Sequence, residues 1–90
     1  MSFKQELADT LKQFPIKRAA LFGSMARGEE TAYSDIDILV EPETSLTIFD
    51  ILRMESVLEQ KFLRKIDIVE FAAIKHSIKD TVLNQMVELI

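Results

Sequence analysis

Residues 35–40 read DIDILV, an apolar run that two carboxylates one residue apart interrupt. Side chains of a β-strand alternate between its two faces, so Asp35 and Asp37 project from one face, about 6.6 Å apart along the chain. Ile36 and Ile38 point to the opposite face, where they can pack beneath helices. Carboxylates in apolar surroundings are costly unless a counter-charge compensates them. The run therefore predicts a strand with one core face and one face that needs a positively charged group.

A second apolar segment, residues 65–71 (KIDIVEF), repeats this pattern around Asp67, which lies between Ile66 and Ile68. Three carboxylates on neighbouring strands would repel one another. A hard divalent cation removes that conflict, and carboxylates are ligands that Mg²⁺ prefers. Because Mg²⁺ commonly bridges one or two carboxylates to substrate phosphates, the pattern predicts a magnesium site that also receives a phosphate.

The segment before DIDILV offers groups for such a phosphate. Gly23 permits a sharp turn or a close backbone approach, and Ser24 adds a hydroxyl donor. The N–H groups at the start of the next helical turn can bind an anion, and Arg27 can pair with phosphate in a bidentate way. Each feature alone has a simpler explanation, since Gly-Ser is commonly a turn and charges protect sheet edges. Their order and spacing favour one phosphate–metal site, although the Walker pattern GxxxxGK[ST] does not occur.

Apolar residues at helical spacing predict two helices. The first covers residues 2–14, with Ser2 as its cap and Pro15 as its stop. The second runs from about residue 44 or 45 to 63. Glu55 falls on the apolar face of this second helix, a misfit that the sequence does not explain.

The predicted fold is α+β in two layers: a small mixed β-sheet with helices packed mainly on one face, opposite the aspartates. Residues 17–22 (KRAALF) form a strand that lies next to the strand at 35–40. The tail from residue 74 begins as a helix, while periodicity leaves residues 86–90 open between helix and strand. We expect one domain over residues 1–90.

Composition excludes several classes of function. The chain has no cysteine, so it holds neither a disulfide nor a thiolate metal site. No apolar stretch approaches the ~20 residues that span a bilayer, and the N-terminus lacks a signal-peptide core, so we expect a cytoplasmic protein without a membrane partner. Fifteen acidic against eleven basic residues give a net charge of −4, which argues against direct binding of nucleic acid.

Gly23 and Ser24 are followed by ten residues and then by Asp35, Ile36 and Asp37, which together give the pattern GSx10DxD. This pattern resembles the signature of the nucleotidyltransferase superfamily that includes DNA polymerase β and kanamycin nucleotidyltransferase. The longer stretch GSMARGEETAYSDIDILV resembles the minimal nucleotidyltransferase (MNT) branch, with its GSxARGxxxxxSDxDL, and KIDIVEF sits where that branch places a third aspartate. The resemblance covers roughly residues 15–90. It implies a nucleotidyltransferase fold in which the first two strands are antiparallel.

The resemblance also implies a metal-dependent reaction. Asp35 and Asp37 would bind two Mg²⁺ ions, and Asp67 would complete the second metal site and act as, or orient, the base for the attacking hydroxyl. That hydroxyl attacks the α-phosphorus of ATP and releases pyrophosphate.

The triphosphate and the acceptor follow from the same resemblance. Gly23 and Ser24 would hold the β- and γ-phosphates, and Arg27 would help to neutralise them. Small MNT proteins of this kind resemble the antitoxins of HEPN/MNT toxin–antitoxin pairs, in which the MNT protein adenylylates a tyrosine of its HEPN partner. Two alternatives are a binding module that neutralises its partner by contact alone and an adenylyltransferase for a small molecule such as an aminoglycoside.

The face that carries the aspartates turns apolar away from them, at Leu39, Val69 and Phe71. An uncovered apolar patch of more than a few hundred Å² usually marks an interface. We therefore expect the protein to pair with itself or to dock a partner through residues from Phe71 onward, with Leu39 or Val69 at the edge of the interface.

Overall fold

The computed structural model describes residues 2–23 and 35–90. These residues form three α-helices, four strands and one 3₁₀ turn after the third strand. The elements in chain order are α1 (Phe3–Leu11), β1 (Ile16–Phe22), β2 (Ile36–Pro42), α2 (Ile48–Phe62), β3 (Ile66–Glu70), the 3₁₀ turn (Phe71–Ala73), α3 (His76–Gln85) and β4 (Val87–Glu88).

The four described strands form one mixed sheet in the order β3-β2-β1-β4. β2 pairs with β1 in the antiparallel direction and with β3 in the parallel direction. The predicted antiparallel neighbours, 17–22 and 35–40, are thereby confirmed. The open question at residues 86–90 is also settled, because β4 pairs antiparallel with β1 and places Val87 opposite Leu21.

The core lies on one face of the sheet, beneath α1 and α2. Ile36 and Ile38 of β2 have no exposed surface, and they pack with Leu7 from α1 and Leu58 from α2. Burial of such aliphatic side chains is the main favourable term in folding, at about 1.5–3 kcal/mol for each. The prediction that the first two helices cover the face opposite the aspartates is confirmed.

The predicted element boundaries need correction at both long helices. α1 is capped by Ser2, as expected, but it ends at Leu11 rather than at residue 14. α2 begins at Ile48 rather than at residue 44 or 45, because the Thr47 hydroxyl accepts a hydrogen bond from the backbone N–H of Asp50 at 3.2 Å. The Asp50 carboxylate accepts one from the backbone N–H of Thr47 in return, at 2.9 Å. This reciprocal capping box fixes the start of the helix.

The strand boundaries differ by one or two residues. β2 continues to Pro42 instead of ending at residue 40, since Glu41 lies opposite Arg18 and Pro42 lies opposite Ile16 of β1. A proline fits there because the register between β1 and β2 is irregular at that end, between Ile16 and Arg18, and prolines in sheets are found at such irregularities. β3 covers only Ile66–Glu70, within the predicted 65–71.

The other face of the sheet is covered in part by the C-terminal segment. Leu39 has no exposed surface, so the expectation that it lies uncovered is wrong. A groove of about 300 Å³ separates this face from α3 and is lined by Phe22, Leu39, Val69, Ala73, Ile74, Lys75, Ile78 and Val82. Docking through residues from Phe71 onward stays a prediction.

At the far end of the same face, Arg18 contacts two residues of the C-terminal segment, Phe71 and Glu88. Its guanidinium forms an ion pair with Glu88 at 2.9 Å and lies 4.9 Å from the centre of the Phe71 ring. Phe71 therefore has a contact within the chain. None of the described helices has the length and apolar character required to cross a bilayer.

Candidate active site

Two of the three predicted aspartates lie side by side. β2 and β3 run parallel, and Asp37 lies directly opposite Asp67 in their register. Neighbouring strands are about 4.8 Å apart, and residues that are opposite each other share a face of the sheet. Ile36 and Ile66, one residue earlier, form the equivalent pair on the core face. The alternation that buries the isoleucines therefore brings the two carboxylates together on the open face.

The third predicted aspartate, Asp35, directly precedes β2 and is exposed to solvent. Its charge still acts on Asp37. The pKa of the Asp37 carboxyl is raised from its ordinary 3.8, first because partial burial disfavours the charged form and then because Asp67 and Asp35 repel it. The three aspartates therefore lie near enough to one another to interact electrostatically, and the interaction is unfavourable without a cation.

Gly23 brings the end of β1 close to the Asp37 carboxylate. Phe22 lies opposite Asp37, and Gly23 follows with a φ of +71°, a conformation that side-chain-bearing residues rarely adopt. A Cβ atom at this position would lie 2.6 Å from Oδ2 of Asp37. The positive φ therefore favours glycine, and a larger residue would in addition have to displace the Asp37 carboxylate. Ser24 and Arg27, the other two predicted phosphate ligands, lie outside the described residues.

The donor set at this position fits a hard divalent cation. Carboxylate oxygens are the ligands that Mg²⁺ favours, and a cation would offset both the burial and the repulsion by Asp67 and Asp35 that raise the pKa of Asp37. Within residues 2–23 and 35–90, no three Asp, Glu, His or Cys side chains are gathered around one point as a ready metal cage. This is compatible with Mg²⁺, since that ion usually takes only one or two carboxylates from the protein and completes its shell with water and substrate phosphates.

Sequence reasoning missed two further carboxylates that contact the strand of Asp67. Oε2 of Glu59 accepts a hydrogen bond from the backbone N–H of Ile66 at 2.9 Å. Oε2 of Glu55 accepts one from the backbone N–H of Ile68 at 2.8 Å. The signal was present in the sequence as the misplaced Glu55 on the apolar face of α2, which the structure now explains.

Comparisons with known proteins agree with this geometry. The family model described as polymerase beta, nucleotidyltransferase, matches residues 5–90. A Methanocaldococcus jannaschii protein, MJ0435, named as a candidate protein adenylyltransferase, is 34% identical over 97% of this chain and 94% of its own length. The protein adenylyltransferase MntA of Thermococcus cleftensis is 33% identical over 93% of this chain and 82% of its own length.

Solved structures share the fold. A chain of a toxin–antitoxin crystal structure with AMP-PNP superposes with a TM-score of 0.86 at 21% identity, over 99% of this chain and 73% of that chain. A chain from the complex of a tri-AMPylated Shewanella oneidensis HEPN toxin with its MNT antitoxin gives a TM-score of 0.75 at 19% identity, over 97% of this chain and 68% of that chain. At these identities the likeness establishes the arrangement of helices and strands.

Proposed function

Because the chain belongs to the polymerase beta nucleotidyltransferase family, we propose that it transfers AMP from ATP to a hydroxyl group of a HEPN-type toxin and thereby acts as its antitoxin. The reaction class follows from the family and from relatives that are named protein adenylyltransferases. The observation that carries the proposal is the pairing of Asp37 with Asp67, next to the backbone of Gly23.

The three aspartates have separate roles in the proposed reaction. Asp35 and Asp37 hold two Mg²⁺ ions, and Asp67 completes the second metal site. When bound, the ions stabilise the entering and leaving oxygens of an in-line displacement at phosphorus. The raised pKa of Asp37 supports this assignment, because a carboxylate that is repelled by its neighbours gains most from a bound cation.

The triphosphate of ATP lies on the Gly23 side of the aspartate pair. The close approach of Gly23 to Asp37 lets a phosphate and a carboxylate share one region of the site without an intervening side chain. We assign Ser24 as a hydroxyl donor to the phosphates and Arg27 as the cation that helps to neutralise them.

The acceptor supplies a hydroxyl group, for which we propose a tyrosine of the partner. The hydroxyl oxygen forms a bond to the α-phosphorus of ATP while the bond from that phosphorus to the bridging oxygen breaks, and pyrophosphate leaves. Asp67 takes or orients the hydroxyl proton. The product is an AMP–tyrosine ester. A solved complex of a tri-AMPylated HEPN toxin with an MNT antitoxin, which shares this fold, supports the choice of acceptor protein.

A mass measurement on the partner tests the proposal. The chain is mixed with ATP, Mg²⁺ and a HEPN-type protein from the same organism, and the intact mass of that protein is recorded. We expect the partner to gain one or more AMP groups, and peptide mapping to place them on tyrosine. The Asp35→Asn, Asp37→Asn double variant should produce no gain, since its amides keep the shape of the side chains but lose the charge.

A matched control lies on the same strand. Glu41 is in β2, beyond the aspartates, and its side chain forms a long, exposed ion pair with Lys17 at 4.0 Å. Glu41→Gln should modify the partner as well as the parent does. If the parent leaves the partner unmodified with Mg²⁺ and with Mn²⁺ yet still neutralises it, adenylylation is rejected and neutralisation by contact alone takes its place.

A further inference from the structure

The strand that carries Asp67 lies at the edge of the sheet. In the order β3-β2-β1-β4, which the strands of residues 2–23 and 35–90 form, β3 has a strand partner on one side only. In a strand, alternate residues direct their backbone groups toward opposite neighbours. Lys65 directs its carbonyl toward β2, where it accepts from the N–H of Ile36 at 2.9 Å. The N–H groups of Ile66 and Ile68 therefore face the outer edge, away from β2.

Two carboxylates of α2 occupy this outer edge. Glu59 binds the N–H of Ile66 at 2.9 Å, and Glu55 binds the N–H of Ile68 at 2.8 Å. The spacing of the two elements matches: residues four apart on a helix are about 6 Å apart along its axis, and residues two apart on a strand are about 6.6 Å apart. The residue between the two anchored N–H groups is Asp67.

The arrangement opposes the ordinary preferences of a helix. Two like charges four residues apart destabilise a helix, and both side chains are partly removed from water. Hydrogen bonds from backbone N–H groups to ionised carboxylates compensate, since they are about twice as strong as bonds between neutral groups. The carboxylates thus hold the strand at both residues that flank Asp67.

We propose that Glu55 and Glu59 are positioning residues of the active site, which set the height and orientation of Asp67 beside Asp37 by anchoring the outer edge of β3. The inference rests on the proposed function, in which Asp67 completes the second metal site. Its alternative is that the pair only protects the edge strand from pairing with other chains. The two readings differ in whether metal binding and turnover depend on the anchors.

The test uses the single variants Glu55→Ala and Glu59→Ala and the double variant that combines them. Each is compared with the corresponding glutamine variant. Glutamine retains an oxygen that can accept the same hydrogen bond, so it should rescue. Gln60→Ala is the control, because Gln60 is an exposed residue of similar length on the same helix. Three quantities are measured: hydrogen exchange at the amides of Ile66 and Ile68, binding of Mn²⁺ in the presence of AMP-PNP, and kcat and KM for AMP transfer.

For the alanine pair we expect faster exchange at both amides, together with Mn²⁺ affinity and kcat each lowered about 10-fold, the scale of loss when support behind a metal ligand is removed. KM for ATP should not change, since the triphosphate lies on the Gly23 side. The glutamine pair and Gln60→Ala should behave as the parent. A folded alanine pair that exchanges faster at these amides but binds Mn²⁺ and turns over as the parent does would refute positioning.

If the alanine pair does not fold, the two single variants decide by the same criteria. The binding measurement also separates this inference from the proposed function. If the parent binds Mn²⁺ but transfers no AMP, the proposed reaction is rejected, and the positioning role of Glu55 and Glu59 is then judged on Mn²⁺ affinity alone. If the parent neither binds Mn²⁺ nor transfers AMP, both the proposed reaction and the positioning role are rejected.

Discussion

The two faces of the sheet differ although the same strands form both. On the helix-covered face, Ile36 and Ile38 are fully buried in an apolar core. On the opposite face, Asp37 and Asp67 lie beside each other, partly exposed, with Leu39 buried next to them under the C-terminal segment. Alternation along β2 thus places the residues that form the core and the residues proposed for catalysis on opposite faces of the sheet. Variants on the two faces should therefore fail in different ways.

The largest effect is expected from Asp37→Asn. Loss of a metal ligand removes several kcal/mol of transition-state stabilisation, so AMP transfer should fall about 1,000-fold. The free energy of unfolding should not fall, because the substitution removes a carboxylate whose pKa is raised by burial and by Asp67 and Asp35. Initial rates and urea unfolding measure the two quantities. A variant that is both inactive and unfolded would contradict the separation of the faces.

The adjacent residue should show the opposite pattern. Ile38→Ala leaves a cavity in the core, and the free energy of unfolding should fall by about 2–5 kcal/mol. Urea unfolding measures the loss, and any remaining folded protein should keep the rate of the parent. Leu52→Ala serves as a control, since Leu52 is 52% exposed on α2 and its truncation should change stability by no more than about 0.5 kcal/mol. Equal losses in the two variants would contradict the assigned core.

Gly23→Ala should affect both stability and activity. A left-handed conformation costs an alanine about 1–2 kcal/mol, and the new Cβ would lie 2.6 Å from the Asp37 carboxylate, so either the turn or the carboxylate must move. The midpoint of urea unfolding should fall modestly, and AMP transfer should fall further than the stability loss explains. Normal activity in this variant would show that the close approach of Gly23 to Asp37 has no role.

The smallest effect is a pH dependence of stability in the absence of metal. The native carboxyl of Asp37 has a raised pKa, so between 3.8 and that raised value the native state holds a proton that the unfolded state releases. Parent stability therefore falls as pH rises through this interval, whereas Asp37→Asn lacks this loss. Urea unfolding of both proteins should show that Asp37→Asn has a higher free energy of unfolding than the parent above pH 3.8. This difference should be absent below pH 3.8 and grow as the pH rises above it. A stability difference between the two proteins that is independent of pH would contradict the raised pKa of Asp37.

Much of the fold could be predicted from the sequence because local patterns determine it. The alternation in DIDILV and KIDIVEF fixed the faces of β2 and β3, and Ser2 marked the start of α1. The family resemblance is confirmed by the match over residues 5–90. The start of α2 was missed although Thr47 and Asp50 have the spacing of a capping box. The third helical position of such a box more commonly carries glutamate than aspartate.

The rest depends on contacts between residues distant in sequence. No local pattern shows that residues 87–88 pair with β1, because two residues are too few to display a period. The roles of Glu55 and Glu59 require knowing that β3 is an edge strand and that α2 runs beside it. The roles of all the predicted site residues stay predictions: Gly23, Ser24, Arg27, Asp35, Asp37 and Asp67.

Crystals grown with Mn²⁺ and AMP-PNP test the central claim most directly, because anomalous scattering locates the metal. We predict Mn²⁺ between the carboxylates of Asp37 and Asp67, on the face opposite α1 and α2, with the triphosphate beside Gly23. Metal and triphosphate bound elsewhere on the chain, with the Asp37 and Asp67 carboxylates making no contact with either, would contradict the account.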